Sequence, residues 1–248
     1  RVHLCTVRIA IISPNRHAWS ETFIANHIDH LRGVELVLTD GHLPRRDRDG
    51  EPLVHPTLLK RILQRVRGAR PEDVLRDAIV RRLKKHRIQL VLAEYGPTGE
   101  ALVDVCERAG AALAVHFHGI DAFHHRLLKE SSNYRGLFAA AKAVVVVSRE
   151  MEHQLLQLGC PREKLHYNCY GIAVERFSPA DAAAAPRHFL AVGRFVDKKA
   201  PQLTLAAFAE AHRSDPEMRL TMAGDGPLWE STRSLAGALG LSDAVEFP

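Results

Sequence analysis

The string Val192-Gly193-Arg194-Phe195-Val196-Asp197-Lys198-Lys199 carries the sharpest chemical signal in this 248-residue sequence. A glycine lets the backbone turn tightly, and the two long cations Arg194 and Lys199 stand close enough to converge on one anion. Arginine offers a planar bidentate fork and lysine a point charge, a combination suited to a diphosphate. Taken alone, the string also fits a basic surface loop.

Histidine supplies a second group. His116 and His118 alternate along one face of an expected strand, and His124-His125 follow closely. A metal site, a histidine facing a cleft and simple packing are all open readings. No carboxylate or cysteine stands at a matching spacing, so the sequence assigns no metal. HExxH, GxxxxGK[ST], GxSxG and GxGxxG are all absent. That removes the ready metalloprotease, P-loop NTPase, hydrolase and dehydrogenase readings.

The formal charge of +5 is unevenly placed, with eleven Lys/Arg against three acids between Lys60 and Arg87. Such a block suits an anionic partner (phosphate, lipid headgroup, nucleic acid) or a solvated helix face. Within it, Leu75, Ile79 and Leu83 fall at helical spacing, and Arg76, Arg81, Arg82, Lys84 and Lys85 spread over the other faces. That is the pattern of a surface helix packed on a core, with a basic flank able to face an anionic leaflet. No aromatics interleave with the cations, which argues against single-stranded nucleic acid.

The elements that must position these residues alternate strand with helix. Strands are expected at Val7–Ser13, Val34–Thr39, Ile88–Ala93, Ala112–Phe117, Ala143–Ser148 and Lys164–Asn168. Helices are expected at Trp19–Arg32 (Ser20 as N-cap), Thr57–Val66, Pro71–His86, Thr98–Ala109, Asn133–Ala141 and Glu150–Leu158. Asp40–Pro56 reads as a long loop. Repeated strand–helix–strand units mean a parallel sheet with covered faces. The small, Pro-flanked stretch Ser178–Arg187 reads as a linker. Beyond it come a strand at His188–Val192, a helix at Pro201–Arg213, a strand at Arg219–Ala223, a helix at Trp229–Leu239 and the start of a strand at Val245–Phe247. The organisation is therefore a domain over 1–177, a linker over 178–187 and the opening of a second domain over 188–248. The chain is expected to end inside that second domain.

A chain that is 46% hydrophobic can bury a sizeable core. No apolar run approaches the ~18 residues of a membrane span, and no secretory signal is visible. Cys5, Cys106, Cys160 and Cys169 form no CxxC pair, which suits a reducing cytoplasm.

Five segments in register resemble retaining glycosyltransferase family 4. They are Gly193-Arg194…Lys199-Ala200-Pro201, His118-Gly119-Ile120-Asp121, and Val144–Ser148 with Leu158-Gly159-Cys160-Pro161…Lys164. The other two are Tyr170-Gly171-Ile172…Glu175-Arg176-Phe177 and Gly224-Asp225-Gly226-Pro227. The resemblance is good from Ile88 to Pro248 and weak before it, where Ser13-Pro14-Asn15…Ser20-Glu21-Thr22-Phe23 is similar to a polysaccharide-synthesis branch. Two departures stand out. The family's Asn-Gly is broken by Cys169-Tyr170, and its acidic sugar-holding segment would fall beyond Pro248.

The resemblance implies an α/β fold of the GT-B type, two Rossmann-like domains of which the second is incomplete here. It implies transfer of a glycosyl group, with retention, from a nucleoside diphosphate sugar to a hydroxyl on a polysaccharide or lipid-linked glycan. Arg194 and Lys199 would grip the diphosphate in place of a divalent metal, so no cofactor is expected. Gly193, Gly224, Asp225 and Gly226 would border the nucleotide. His118 would lie near the donor sugar, with Asp121 orienting its loop. Glu94, Gly96 and Thr98 would line the acceptor side. The fragment alone is expected to be inactive, and the protein to be cytoplasmic with peripheral contact to anionic membrane. The alternatives are a nucleotide-sugar epimerase of the same fold and a non-catalytic anion- or nucleic-acid-binding module.

Overall fold

Runs of Val, Ile, Leu and Ala flanked by Gly and Pro become the strands of a buried parallel sheet, as covered faces require. The computed structural model describes residues 7–16, 21–55, 70–179, 181 and 185–248. The chain divides into two units, Arg1–Ile172 and Ala173–Pro248. The division falls a few residues before the expected boundary at 177. The Val174–Arg176 turn is exposed.

In the first unit the elements run β1 (Ile9–Ile12), α1 (Thr22–His30), β2 (Val34–Thr39), β3 (Arg46–Asp47) and α2 (Pro71–Lys85). Then come β4 (Leu90–Glu94), α3 (Gly96–Ala109), β5 (Ala112–His116), α4 (Ile120–Phe123), α5 (His125–Glu130) and α6 (Arg135–Ala140). β6 (Ala143–Val146), α7 (Arg149–Gln157) and β7 (Leu165–Tyr167) complete it. The sheet order is β3-β2-β1-β4-β5-β6-β7, parallel except where β3 turns back against β2. The two-residue β3 lies inside the stretch expected to be loop. Short helices α4 and α5 likewise precede α6, where one helix was expected from Asn133.

Local chemistry explains where the helices start and stop. α2 opens with Pro71 and with Glu72 and Asp73 in its first turn, which suits the positive end of the helix. It buries Ala78, Ile79, Val80 and Leu83, so its apolar stripe packs on the core. Arg76 pairs with Asp104, and Arg82 lies 3.5 Å from Asp47. The Ser148 hydroxyl caps α7 by accepting from the Met151 amide at 3.1 Å, and α3 ends on Gly110 in the left-handed region. The expected cap Ser20, the expected helix Thr57–Val66 and the Lys60–Ala69 part of the basic block lie outside the described residues.

The second unit contains β8 (His188–Val192), α8 (Pro201–Ser214), β9 (Arg219–Ala223), α9 (Trp229–Ala238) and β10 (Val245–Glu246). Its sheet is parallel, in the order β10-β9-β8. Phe195, Leu205, Phe208, Leu220 and Met222 form its core, while Phe189, Leu190 and Val192 on the edge strand β8 are more than half exposed.

In a sheet with this strand order, β1 and β4 flank the point where the order reverses, and crevices open at the carboxyl ends there. The turn leaving β4 is unusually tight. Tyr95 has φ 76°, in the left-handed region, and Gly96 packs so closely that a Cβ would lie 2.6 Å from Phe117 Cε1 and 2.8 Å from Tyr134 Cζ. Both rings are buried in the core, so neither can yield cheaply. Gly96→Ala is therefore expected to destabilise the chain by about 1–3 kcal/mol. A urea midpoint unchanged from wild type would show that the two rings accommodate the methyl group.

Candidate functional site

The carboxyl edge of the first sheet gathers side chains that are far apart in sequence. Glu94 ends β4 and is paired in register with His116 at the end of β5, so the two stand side by side. His118, two residues further, points to the same face. His27 comes from α1. Glu94 is fully buried. Its Oε1 lies 2.8 Å from His27 Nδ1, its Oε2 2.8 Å from His118 Nε2, and the same Oε2 3.8 Å from His116 Nδ1.

An aromatic layer closes over this group. Phe23 stacks on Tyr170 at 4.6 Å and lies 4.5 Å from the His118 ring, which Tyr95 meets edge-on at 4.6 Å. The Tyr170 hydroxyl is 2.5 Å from His118 Nδ1, and the Tyr95 hydroxyl donates to Glu21 at 2.7 Å. Both nitrogens of His118 are thus engaged, and its side chain is only 2% exposed. The loop shows Ile120 to solvent instead. Glu94, Gly96 and Thr98, expected to line an acceptor site, are all buried: the first belongs to the histidine group, Gly96 packs on aromatic rings, and Thr98 Oγ1 lies 2.9 Å from His42 Nδ1.

Asp121 fixes the loop from beneath. Its fully buried carboxylate accepts from the backbone amides of Gly96 (2.9 Å), His118 (3.0 Å) and Gly119 (2.9 Å). The chain thus leaves β5 held to the turn that leaves β4. Gly119, with φ 121°, supplies the backbone reversal that brings Asp121 back under its own loop.

Burial and charge set the protonation of the group. Burial pushes the Glu94 carboxyl up, but the hydrogen bonds and charges of His118 and His27 together outweigh it and hold the group below its usual range. Burial first, and the neighbouring His118 second, push His116 down to about 3. Its Nε2 is buried without a hydrogen-bond partner.

A second constellation lies in the second unit, at the carboxyl end of β8. Gly193, Arg194, Phe195 and Lys199 line one recess of about 160 Å³ together with Pro201 and Thr204 from the start of α8. Two loops are stitched together there by main chain alone. The Gly193 amide donates to Ala223 O at 3.0 Å, Phe195 N to Asp225 O at 2.9 Å, and Leu228 N to Phe195 O at 3.0 Å. Gly224 (φ 146°) and Gly226 (φ 151°) are obligatory: a Cβ would lie 2.0 Å from Gly193 O and 2.5 Å from Phe195 O. Arg194 and Lys199 are exposed at the mouth, and the α8 amino terminus adds a partial positive charge. Such a recess can hold an anion of phosphate size.

The comparisons with known proteins agree with this division. The profile of Glycosyltransferase Family 4 matches residues 21–176, and that of Glycosyl transferases group 1 matches residues 176–248. The putative colanic acid biosynthesis glycosyltransferase WcaL of Escherichia coli is 28% identical over 187 residues, 73% of this chain and 46% of its own length. The amylovoran biosynthesis glycosyltransferase AmsK of Erwinia amylovora is also 28% identical over 187 residues, with the same coverage. The chain spans about half the length of these curated relatives. Among solved structures, Anabaena HepE in complex with UDP-glucose superposes with a TM-score of 0.70 at 15% identity, covering 97% of this chain and 68% of that one. The lipopolysaccharide outer core galactosyltransferase WaaB, in its apo form, gives 0.62 at 16% identity, covering 97% and 67%. The fold is that of the GT-B glycosyltransferases. Among the described residues, no helix is long and apolar enough to cross a membrane.

The depressed His116 gives a pH test. The ring is neutral in the fold, whereas in the unfolded chain it titrates near 6.5, so its contribution is present above that value and is lost as pH falls toward about 3. One such group yields a slope of at most about 1.4 kcal/mol per pH unit. Urea midpoints in chelator-containing buffer should fall more steeply for wild type than for His116→Gln between about pH 6.5 and about pH 4.5. Parallel slopes would mean that His116 is not the group responsible.

Proposed function

The chain belongs to Glycosyltransferase Family 4, and from that premise we propose that its protein moves a sugar from a nucleoside diphosphate sugar to a hydroxyl acceptor with retention. The acceptor class proposed is a growing polysaccharide or a lipid-linked glycan. The observation that carries this reading is the placement of Arg194 and Lys199 on one small recess at the carboxyl end of β8, beside the start of α8. The printed roles of WcaL and AmsK in colanic acid and amylovoran biosynthesis support a polysaccharide acceptor, and the UDP-glucose complex of HepE supports the donor class.

Negative charge accumulates on the departing diphosphate as the glycosidic bond to it breaks. Fixed cations aimed at that oxygen act where charge develops, and this is commonly the largest electrostatic contribution to catalysis. Arg194 can clamp two oxygens and Lys199 a third, which leaves no task at the diphosphate for a divalent ion. Gly193, Gly224, Asp225 and Gly226 hold the loops that border the nucleotide. For His118, an imidazole contact with the sugar requires Tyr170 to withdraw, since Tyr170 and Glu94 occupy both ring nitrogens.

An epimerase reading has one observation in its favour. A UDP-N-acetylglucosamine 2-epimerase from Rickettsia bellii superposes with a TM-score of 0.53 at 14% identity, a likeness of fold alone. It would act on the nucleotide sugar without any acceptor, so product analysis with acceptor omitted separates the two.

In the full-length protein, Arg194→Ala and Lys199→Ala are each expected to lower turnover by roughly 100-fold or more, the scale for losing a group that stabilises charge in the transition state. Losses under about threefold in both variants would remove the diphosphate role. In the same assay, withholding Mg²⁺ and Mn²⁺ should leave the wild-type rate largely intact. A strict requirement for either ion would show that the cations do not neutralise the leaving group by themselves.

A further inference from the structure

His27, Glu94 and His116 each offer one ligand atom, and these atoms lie within 4.8 Å of one another. They reach one point from three elements: His27 from α1, Glu94 from the end of β4, and His116 from the end of β5. The ligand types are those of transition-metal sites, two imidazoles and a carboxylate. Zinc at its usual bond lengths places ligands about 3.3 Å apart. The 2.8 Å contact between His27 Nδ1 and Glu94 Oε1 would widen slightly to reach that spacing.

Two further observations point to a ligand. The His116 ring is nine-tenths buried, its Nε2 has no hydrogen-bond partner, and its Nδ1 stands 3.8 Å from Glu94, beyond hydrogen-bond reach. A buried polar nitrogen left unmatched is rare and calls for a partner. His118 meanwhile occupies the position of an outer-shell support, with its Nε2 at 2.8 Å from the second oxygen of the carboxylate that would ligate.

We propose that His27, Glu94 and His116 bind one divalent transition-metal ion of the zinc class, bracing α1 against the carboxyl ends of β4 and β5. The ion replaces the proton held between His27 Nδ1 and Glu94 Oε1, which leaves to solvent. The site belongs wholly to the first unit. The proposal stands or falls independently of the transferase reading.

The test uses the untagged 248-residue chain, stripped with chelator, dialysed and titrated with Zn²⁺ and with Co²⁺. The wild type should take up about one equivalent of either, with the strong visible absorption of four-coordinate Co²⁺, and zinc should raise its Tm. His27→Ala and Glu94→Gln should each weaken uptake by roughly 100-fold or more and abolish the zinc-dependent rise in Tm. His153→Ala, which removes an exposed histidine, should bind as wild type does. Uptake well below one equivalent by wild type, or wild-type uptake by both site variants, would overturn the proposal. Should a variant fail to melt cooperatively, X-ray absorption on the zinc-loaded wild type decides: two imidazoles and a carboxylate oxygen uphold the site, and any other protein ligand set refutes it.

Discussion

The buried carboxylate of Asp121 holds the carboxyl edge of the first sheet in its working shape. It takes hydrogen bonds from three backbone amides that belong to two different strand ends. Each amide, if left buried and unmatched, would cost about 1–3 kcal/mol. Burial holds the carboxyl above its usual range, and the three amides offset that only in part. The strained Tyr95 turn, the close packing of Gly96 and the course of the His118 loop all follow from satisfying this one group. Tyr134 completes the arrangement from below by donating to the Asp121 carbonyl at 3.0 Å.

Above Asp121 the construction changes from backbone to side chain. Glu94 meets His27 and His118 directly, and Phe23, Tyr95 and Tyr170 cover them. Low dielectric strengthens these contacts and penalises any group left out of them. His116 is the member the network leaves incomplete, and burial also pushes its proton affinity well down. The same burial accounts for both properties.

Much of this was legible in the sequence. Strand-length apolar runs separated by helical periodicity read directly as a parallel sheet, because burial on both faces removes the polar alternation that would blur them. The Gly193–Lys199 string was legible because its glycine and cations are local. His116 and His118 were visible as a pair, but their carboxylate was not. Glu94 is brought to them by strand pairing and His27 by the packing of α1, and neither relation leaves a spacing in the chain. For Glu94, Gly96 and Thr98, expected on the acceptor side, the position at a strand end was legible and the burial was not, for the same reason. β3 escaped notice because two residues in a charged loop carry no periodicity.

The two loops of the second unit show a different economy. Their separation is fixed by peptide-to-peptide hydrogen bonds and by two glycines whose missing side chains admit a facing carbonyl. The side chains of Arg194 and Asp225 are therefore not what holds the loops apart. During divergence, selection can exchange such side chains while the scaffold between them stays the same. A change in what the recess recognises need not pass through a misfolded ancestor. In this part of the molecule, evolvability resides in the backbone.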